Sequence, residues 1–173
     1  MLLLAWGLGR WLEVSPGEHL RLVPGSIIWG LVATVPLLLV LAWMLRSRVA
    51  AVRNLVNLVT EQVGPLIARC TVLQLGCLAA VAGISEEVLF RGVVQPGIGR
   101  WLPESGALVL TSLMFGLVHA ASRLYALFAA LMGLYLGSLF LLQRSLIPPI
   151  LAHGLYDLVA LAMVAARYRN SQS

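Results

Sequence analysis

The stretch Gly83-Ile84-Ser85-Glu86-Glu87-Val88-Leu89-Phe90-Arg91-Gly92-Val93-Val94-Gln95-Pro96-Gly97 places two adjacent carboxylates and an arginine inside an apolar run. On a helix, Glu87 and Arg91 stand i,i+4 with the acid first, the favourable order for an ion pair. Glu86 is then left without a local partner. An ionised group at bilayer depth costs several kcal/mol unless it is paired or lines a water-filled cavity, so an unpaired carboxylate kept there is a functional candidate. Glu87 reads as structural, and Glu86 as the group free to act.

Working outward, 60% of the 173 residues are hydrophobic and 11% are charged, against about 25% charged in an ordinary soluble domain. The fold expected is all-α: a polytopic membrane helical bundle of about five transmembrane helices, each of roughly 20 residues, plus one interfacial amphipathic helix. No separate soluble domain fits. All twelve basic residues are Arg, scattered at the ends of apolar runs as headgroup anchors. No basic cluster points to nucleic acid, so the lipid bilayer is the expected environment.

Along the chain, residues 1–11 are apolar but lack a preceding basic segment or a small-residue cleavage site. They read as an interfacial anchor held by Trp6 and Trp11, not as a signal peptide. Residues 26–45 form the first span, with Pro36 expected to kink it. In residues 48–64, Val49, Val52, Val56, Val59 and Val63 recur at helical spacing, with Arg53, Asn54, Asn57, Glu61 and Gln62 opposite; this is the interfacial helix. The second span is expected from Pro65 or Leu66 to Gln95, stopped by Pro96-Gly97. It would carry Cys70 and Cys77 too far apart for a disulfide. The third covers about 105–119, and the fourth about 124–142 with a Gly133-x-x-x-Gly137 motif. The fifth begins after Ser145, with Pro148 and Pro149 in its first turn, and ends at Arg167 and Arg169. His19 falls in a polar loop and reads as solvated.

These segments divide the chain into 1–65 (anchor, first span and interfacial helix), 66–168 (core) and 169–173 (polar tail). Arg46, Arg48, Arg53, Arg69, Arg123, Arg167 and Arg169 fall on one face of the membrane. Arg10, Arg21, Arg100 and Arg144 fall on the other. The richer face, with the C-terminus, is expected to be cytoplasmic.

Two histidines lie in expected spans, each with a distinctive neighbour four residues away: Phe115-x-x-x-His119 and His153-x-x-x-Asp157. Asp157 is the only Asp in the chain. At 1.5 Å per residue, Glu86 lies about 14 Å deep, His119 about 21 Å, His153 about 10 Å and Asp157 about 16 Å. Three spans thus bring a Glu, two His and an Asp to mid-membrane, with His119 the poorest fit in depth.

Glu86-Glu87-x-x-x-Arg91, Phe115-x-x-x-His119 and His153-x-x-x-Asp157, in this order, resemble the three motifs of the CPBP family of intramembrane proteases, which includes the CAAX prenyl endopeptidases. The resemblance covers roughly residues 66–166. It implies an endopeptidase that hydrolyses membrane-associated peptide or protein substrates, prenylated CAAX-type substrates among them, through a glutamate-activated water, in an integral multi-pass protein of a bacterial cytoplasmic membrane. Glu86 would be the general base, helped by His119. His153 and Asp157 would stabilise the oxyanion or orient a histidine, with Glu87, Arg91 and Phe115 as structural support. Removal from water makes a carboxylate a stronger base. Many members carry Asn where this chain has Asp157, which would have to be protonated or to hold His153 in one tautomer.

No cofactor is favoured. Zinc is the alternative, with Glu86, His119 and His153 as ligands. Against it stand the lack of a His-Glu-x-x-His arrangement and the competing use of Glu86 as base. Two other functions fit intramembrane Glu, His and Asp. A non-catalytic scaffold or immunity protein would lose stability, not turnover, in Glu86→Ala. A small proton-coupled transporter would show potential-dependent flux.

Overall fold

The structure, a computed structural model, describes residues 1–172. Every regular element among them is helical: α1 (Leu2–Leu12), α2 (Ser26–Arg46), α3 (Ala50–Ile67), α4 (Val72–Leu89), a π-helical turn (Phe90–Val94), α5 (Gln95–Ile98), α6 (Glu104–Val118), α7 (Arg123–Gln143) and α8 (Ile147–Gln172). Four helical runs are long and apolar enough to cross a membrane: Ser26–Arg46, Val72–Ile98, Arg123–Gln143 and Ile147–Gln172. This is the architecture of an integral multi-pass membrane protein. The remaining expected span, α6, has 15 residues. Its length of about 22 Å is less than the hydrocarbon core of about 30 Å.

Helix α8 is the centre of the bundle. Helices α2, α3 and α4 pack along it, while α6 pairs with α7. Close approach of α4 to α8 depends on Gly83: a Cβ there would sit 3.0 Å from the backbone nitrogen of Gly154. The absent side chain therefore lets the helix carrying Glu86 lie directly against the helix carrying His153.

Several boundaries differ from expectation for identifiable reasons. The second span does not begin at Pro65 or Leu66; α3 runs on to Ile67, and the chain breaks before α4. The new helix starts with a capping box in which the Thr71 side chain accepts from the Gln74 backbone and the Gln74 side chain accepts from the Thr71 backbone, satisfying two terminal donors. Cys70 therefore precedes the helix that carries Cys77, and both are free thiols. At the far end, Pro96 does not stop the helix. It lies in the first turn of α5, directly after the π-helical turn, and the helix runs on to Ile98. Helix α8 extends to Gln172, past Arg167 and Arg169.

The N-terminal region also does more than anchor. Ala5 and Leu12 of α1 are buried in the same core cluster as Val88, Val93 and Leu146, while Trp6 and Trp11 stay exposed. The following strap closes one end of the bundle. Ser145 Oγ donates to the Arg21 carbonyl at 2.6 Å, and the Leu146 N–H donates to the His19 carbonyl at 2.8 Å. His19 is not simply solvated: its ring packs edge-on against Phe140 at 5.2 Å. Arg100 reaches the Leu12 carbonyl and Glu13, and Arg144 pairs with Glu104 at 2.6 Å. At the opposite end, Arg167 contacts Asn57 and Arg169 donates to the Ala68 carbonyl.

Candidate active site

The last turn of α4 presents Glu86 and Glu87, and the π-helical turn follows at once. The Phe90 N–H is shared between the Glu86 and Glu87 carbonyls, and the Gln95 N–H donates to the Phe90 carbonyl. This wider turn, a feature frequent at functional sites, lies in a segment buried at every residue from Phe90 to Val94. Arg91 and Gln95 from this region donate to the carbonyls of Gly133 and Gly137 at 2.9 and 3.4 Å. The GxxxG motif of α7 thus faces the functional segment and offers backbone acceptors to it.

Arg91 and Glu87 are both 0% exposed and meet at 2.7 Å. The Arg91 guanidinium also lies 4.7 Å above the Phe115 ring centroid, a favourable cation–π arrangement. Glu87 has a second role that sequence reasoning missed: its Oε1 lies 2.8 Å from Nδ1 of His153. A carboxylate only accepts, so Nδ1 carries the hydrogen, and the His153 ring is fixed with Nε2 pointing away from the pair. The two residues are 66 apart in sequence, and no local pattern announces that contact.

His119 is the residue at which α6 ends. Its Nδ1 is 2.8 Å from the Phe115 carbonyl, which again assigns the hydrogen to Nδ1 and turns Nε2 toward the site. The Phe115 ring lies 4.4 Å from the His119 ring and 6.1 Å from that of His153. The short helix therefore ends where its final histidine can be held by its own backbone four residues earlier.

These supports converge on Glu86. Its Oε2 lies 3.5 Å from His119 Nε2 and 4.0 Å from His153 Nε2, and it has no hydrogen-bond partner. Asp157 Oδ2 is 3.4 Å from His153 Nε2. All seven residues singled out in the sequence fall in one cluster, including His119, whose depth fitted least; counting along straight helices ignores tilt. Glu86 is 15% exposed, His119 26% and Asp157 25%, so the cluster is sealed on its Glu87–Arg91 side and open on its Glu86 side. Tyr125 lies on the first turn of α7, where its N–H donates to the capping Ser122 hydroxyl at 3.1 Å. Sequence reasoning had no ground for separating it from other interfacial tyrosines.

The zinc alternative turns on the donor atoms. Among the described residues, no group of three His, Cys, Asp or Glu side chains is arranged to hold a metal ion. His153 Nδ1 is committed to Glu87, and its Nε2 also faces Asp157.

A family model described as type II CAAX prenyl endopeptidase Rce1-like matches residues 68–159. The chain belongs to this family. The matched segment includes Glu86, Glu87, Arg91, Phe115, His119, His153 and Asp157. Membership in the Rce1-like family points to intramembrane peptidase activity. Comparison with curated proteins and with solved structures finds no match.

Proposed function

We propose that the protein is an intramembrane endopeptidase that cleaves membrane-associated peptides with a water activated by Glu86. The observation that carries this reading is the unpartnered Glu86 Oε2, largely withdrawn from solvent and 3.5 Å from His119 Nε2. A water bridging these two atoms from the open side would give its proton to Glu86 and attack the peptide carbonyl, with His119 Nε2 accepting its other hydrogen. Glu86 would then pass the proton to the leaving amine. General-base assistance of this kind contributes about 10²–10⁴-fold.

His153 is suited to the oxyanion side of the reaction. Its ring is anchored through Nδ1 and flanked at Nε2 by Asp157 and Glu86; with both nitrogens protonated, its Nε2–H would donate to the oxyanion. A preorganised donor there contributes about 3–4 kcal/mol. Glu87 and Phe115 act by holding the two rings, and Asp157 by balancing charge at His153. The substrates are membrane-anchored peptides, prenylated CAAX-type peptides among them, in a bacterial cytoplasmic membrane.

Cleavage of membrane-anchored fluorogenic peptides by the purified parent and Glu86→Gln, with and without chelator, tests the reading. Activity lost in the variant and kept under chelator is the expected result. Turnover unchanged in Glu86→Gln rules out the glutamate mechanism, and loss under chelator transfers the water activation to a metal.

A further inference from the structure

The two ends of the bundle balance charge differently. At the end holding the N-terminal strap, Arg100 pairs with Glu13 and Arg144 with Glu104. At the other end, Arg46, Arg48, Arg53, Arg69, Arg167 and Arg169 are all exposed, and among the described residues none forms an ion pair with an acidic side chain. Glu61 is the one acidic residue in the segments around them. This excess of cation lies where the membrane headgroups would be.

Within that face the structure contains a formed cleft, of about 570 Å³, between the C-terminal ends of α2 and α8. Its walls are Ala42 and Leu45 from α2 and Met163 and Ala166 from α8, with Arg46, Arg167 and Asn170 as the polar lining. The small side chains of the two alanines leave the space unfilled. Arg167 makes only a long contact of 3.4 Å with Asn57, and Arg46 has no hydrogen-bond partner among the described residues. The lining is therefore amphipathic in a fixed order: two planar guanidinium groups and the Asn170 amide toward the headgroup level, and aliphatic walls running from them into the bundle.

We infer that this cleft is a binding site for one anionic phospholipid, its phosphate bridging Arg46 and Arg167 and an acyl chain lying against Ala42, Leu45, Met163 and Ala166. Guanidinium groups suit phosphate because they offer paired donors in a plane, and basic pockets between transmembrane helices on the arginine-rich side take acidic lipid headgroups. Free phosphate would use the same two arginines but leave the apolar walls uncovered, so the lining favours the lipid. Binding would also join α2 to α8, the helix that carries His153 and Asp157.

The test is native mass spectrometry of the full chain released from phosphatidylcholine nanodiscs doped with phosphatidylglycerol. One lipid adduct is expected on the parent, falling roughly tenfold or more in R46Q/R167Q, on the scale of two lost arginine–headgroup interactions. R48Q/R53Q removes the same charge from the same face outside the cleft and should keep the adduct. Ala166→Leu keeps both guanidinium groups but fills the cleft, and should lose the adduct even if the arginine variant fails to fold. Equal loss in both arginine pairs would reduce the effect to diffuse surface attraction and overturn the site. Retention in Ala166→Leu would overturn the apolar seat, and displacement by inorganic phosphate as effective as by phosphatidylglycerol would overturn the choice of a lipid.

Discussion

Glu86 and Glu87 are neighbours with opposite environments. Glu87 is fully buried, with its Oε1 bonded to both Arg91 and His153, whereas Glu86 is partly open and its Oε2 lies 3.5 Å from His119 with no hydrogen bond made. Adjacent helical side chains point about 100° apart, so one residue can face the packed interior and the next the reaction space. Under the proposed mechanism, the buried half of the cluster sets geometry and the open half supplies chemistry. Each residue should then fail in its own way when changed.

The largest effect expected is on Glu86. Glu86→Gln should lower peptide hydrolysis by about 10²–10⁴-fold while leaving the thermal midpoint in detergent within a few degrees of the parent. A variant that lost its fold instead would erase the contrast with Glu87. Arg91→Met reverses the pattern: it leaves Glu87 buried without its partner, which should destabilise the protein by about 3–5 kcal/mol, visible as a large drop in midpoint. An unchanged midpoint would mean that Glu87 is held by His153 alone.

Gly116→Ala probes the α6–α7 contact that carries His119. The added methyl would come 2.5 Å from the Ala126 carbonyl oxygen and 2.8 Å from Ala130 Cβ, so α6 must shift, at about 1–3 kcal/mol. Activity should fall further than that loss of stability explains, measured at a temperature where the variant is fully folded; a fall in stability alone would separate His119 from the chemistry. The smallest effect is expected for Asp157→Asn. His153 keeps its 2.8 Å anchor to Glu87, so the rate should change by less than about tenfold, worth about 1.4 kcal/mol. A loss matching that of Glu86→Gln would move Asp157 into the reacting group.

Much of this was legible because the bilayer makes charge expensive. Composition gave an all-helical bundle, and the spacing of Glu87 and Arg91 gave a pair now found at 2.7 Å. The grouping of the arginines matches the contacts at the two ends of the bundle: Arg100 and Arg144 near Glu13 and Glu104, Arg167 and Arg169 near Asn57 and Ala68. What was missed depends on tertiary contact. Nothing near Glu87 in sequence points to His153, and a short run such as Phe90–Val94 does not distinguish an i,i+5 turn from an α-helix. One feature was readable and overlooked: Thr71-x-x-Gln74 is a capping signal, and it marks the break that separates α3 from α4. The strap over Ser145 and Leu146 lay beyond reach, since polar loop residues carry no periodicity to place them.

The π-helical turn has a consequence for how the chain is counted. A turn closed at i,i+5 contains one residue more than an α-helical turn would need, so the phase of everything after Val94 depends on a single extra position. Deleting one residue within 90–94 with the wide turn kept would rotate α5 by about 100° against α4. Gln95 would then swing away from Gly137 while Glu86 stayed in place. The register of this membrane helix is thus stored as an integer, open to change by a single codon.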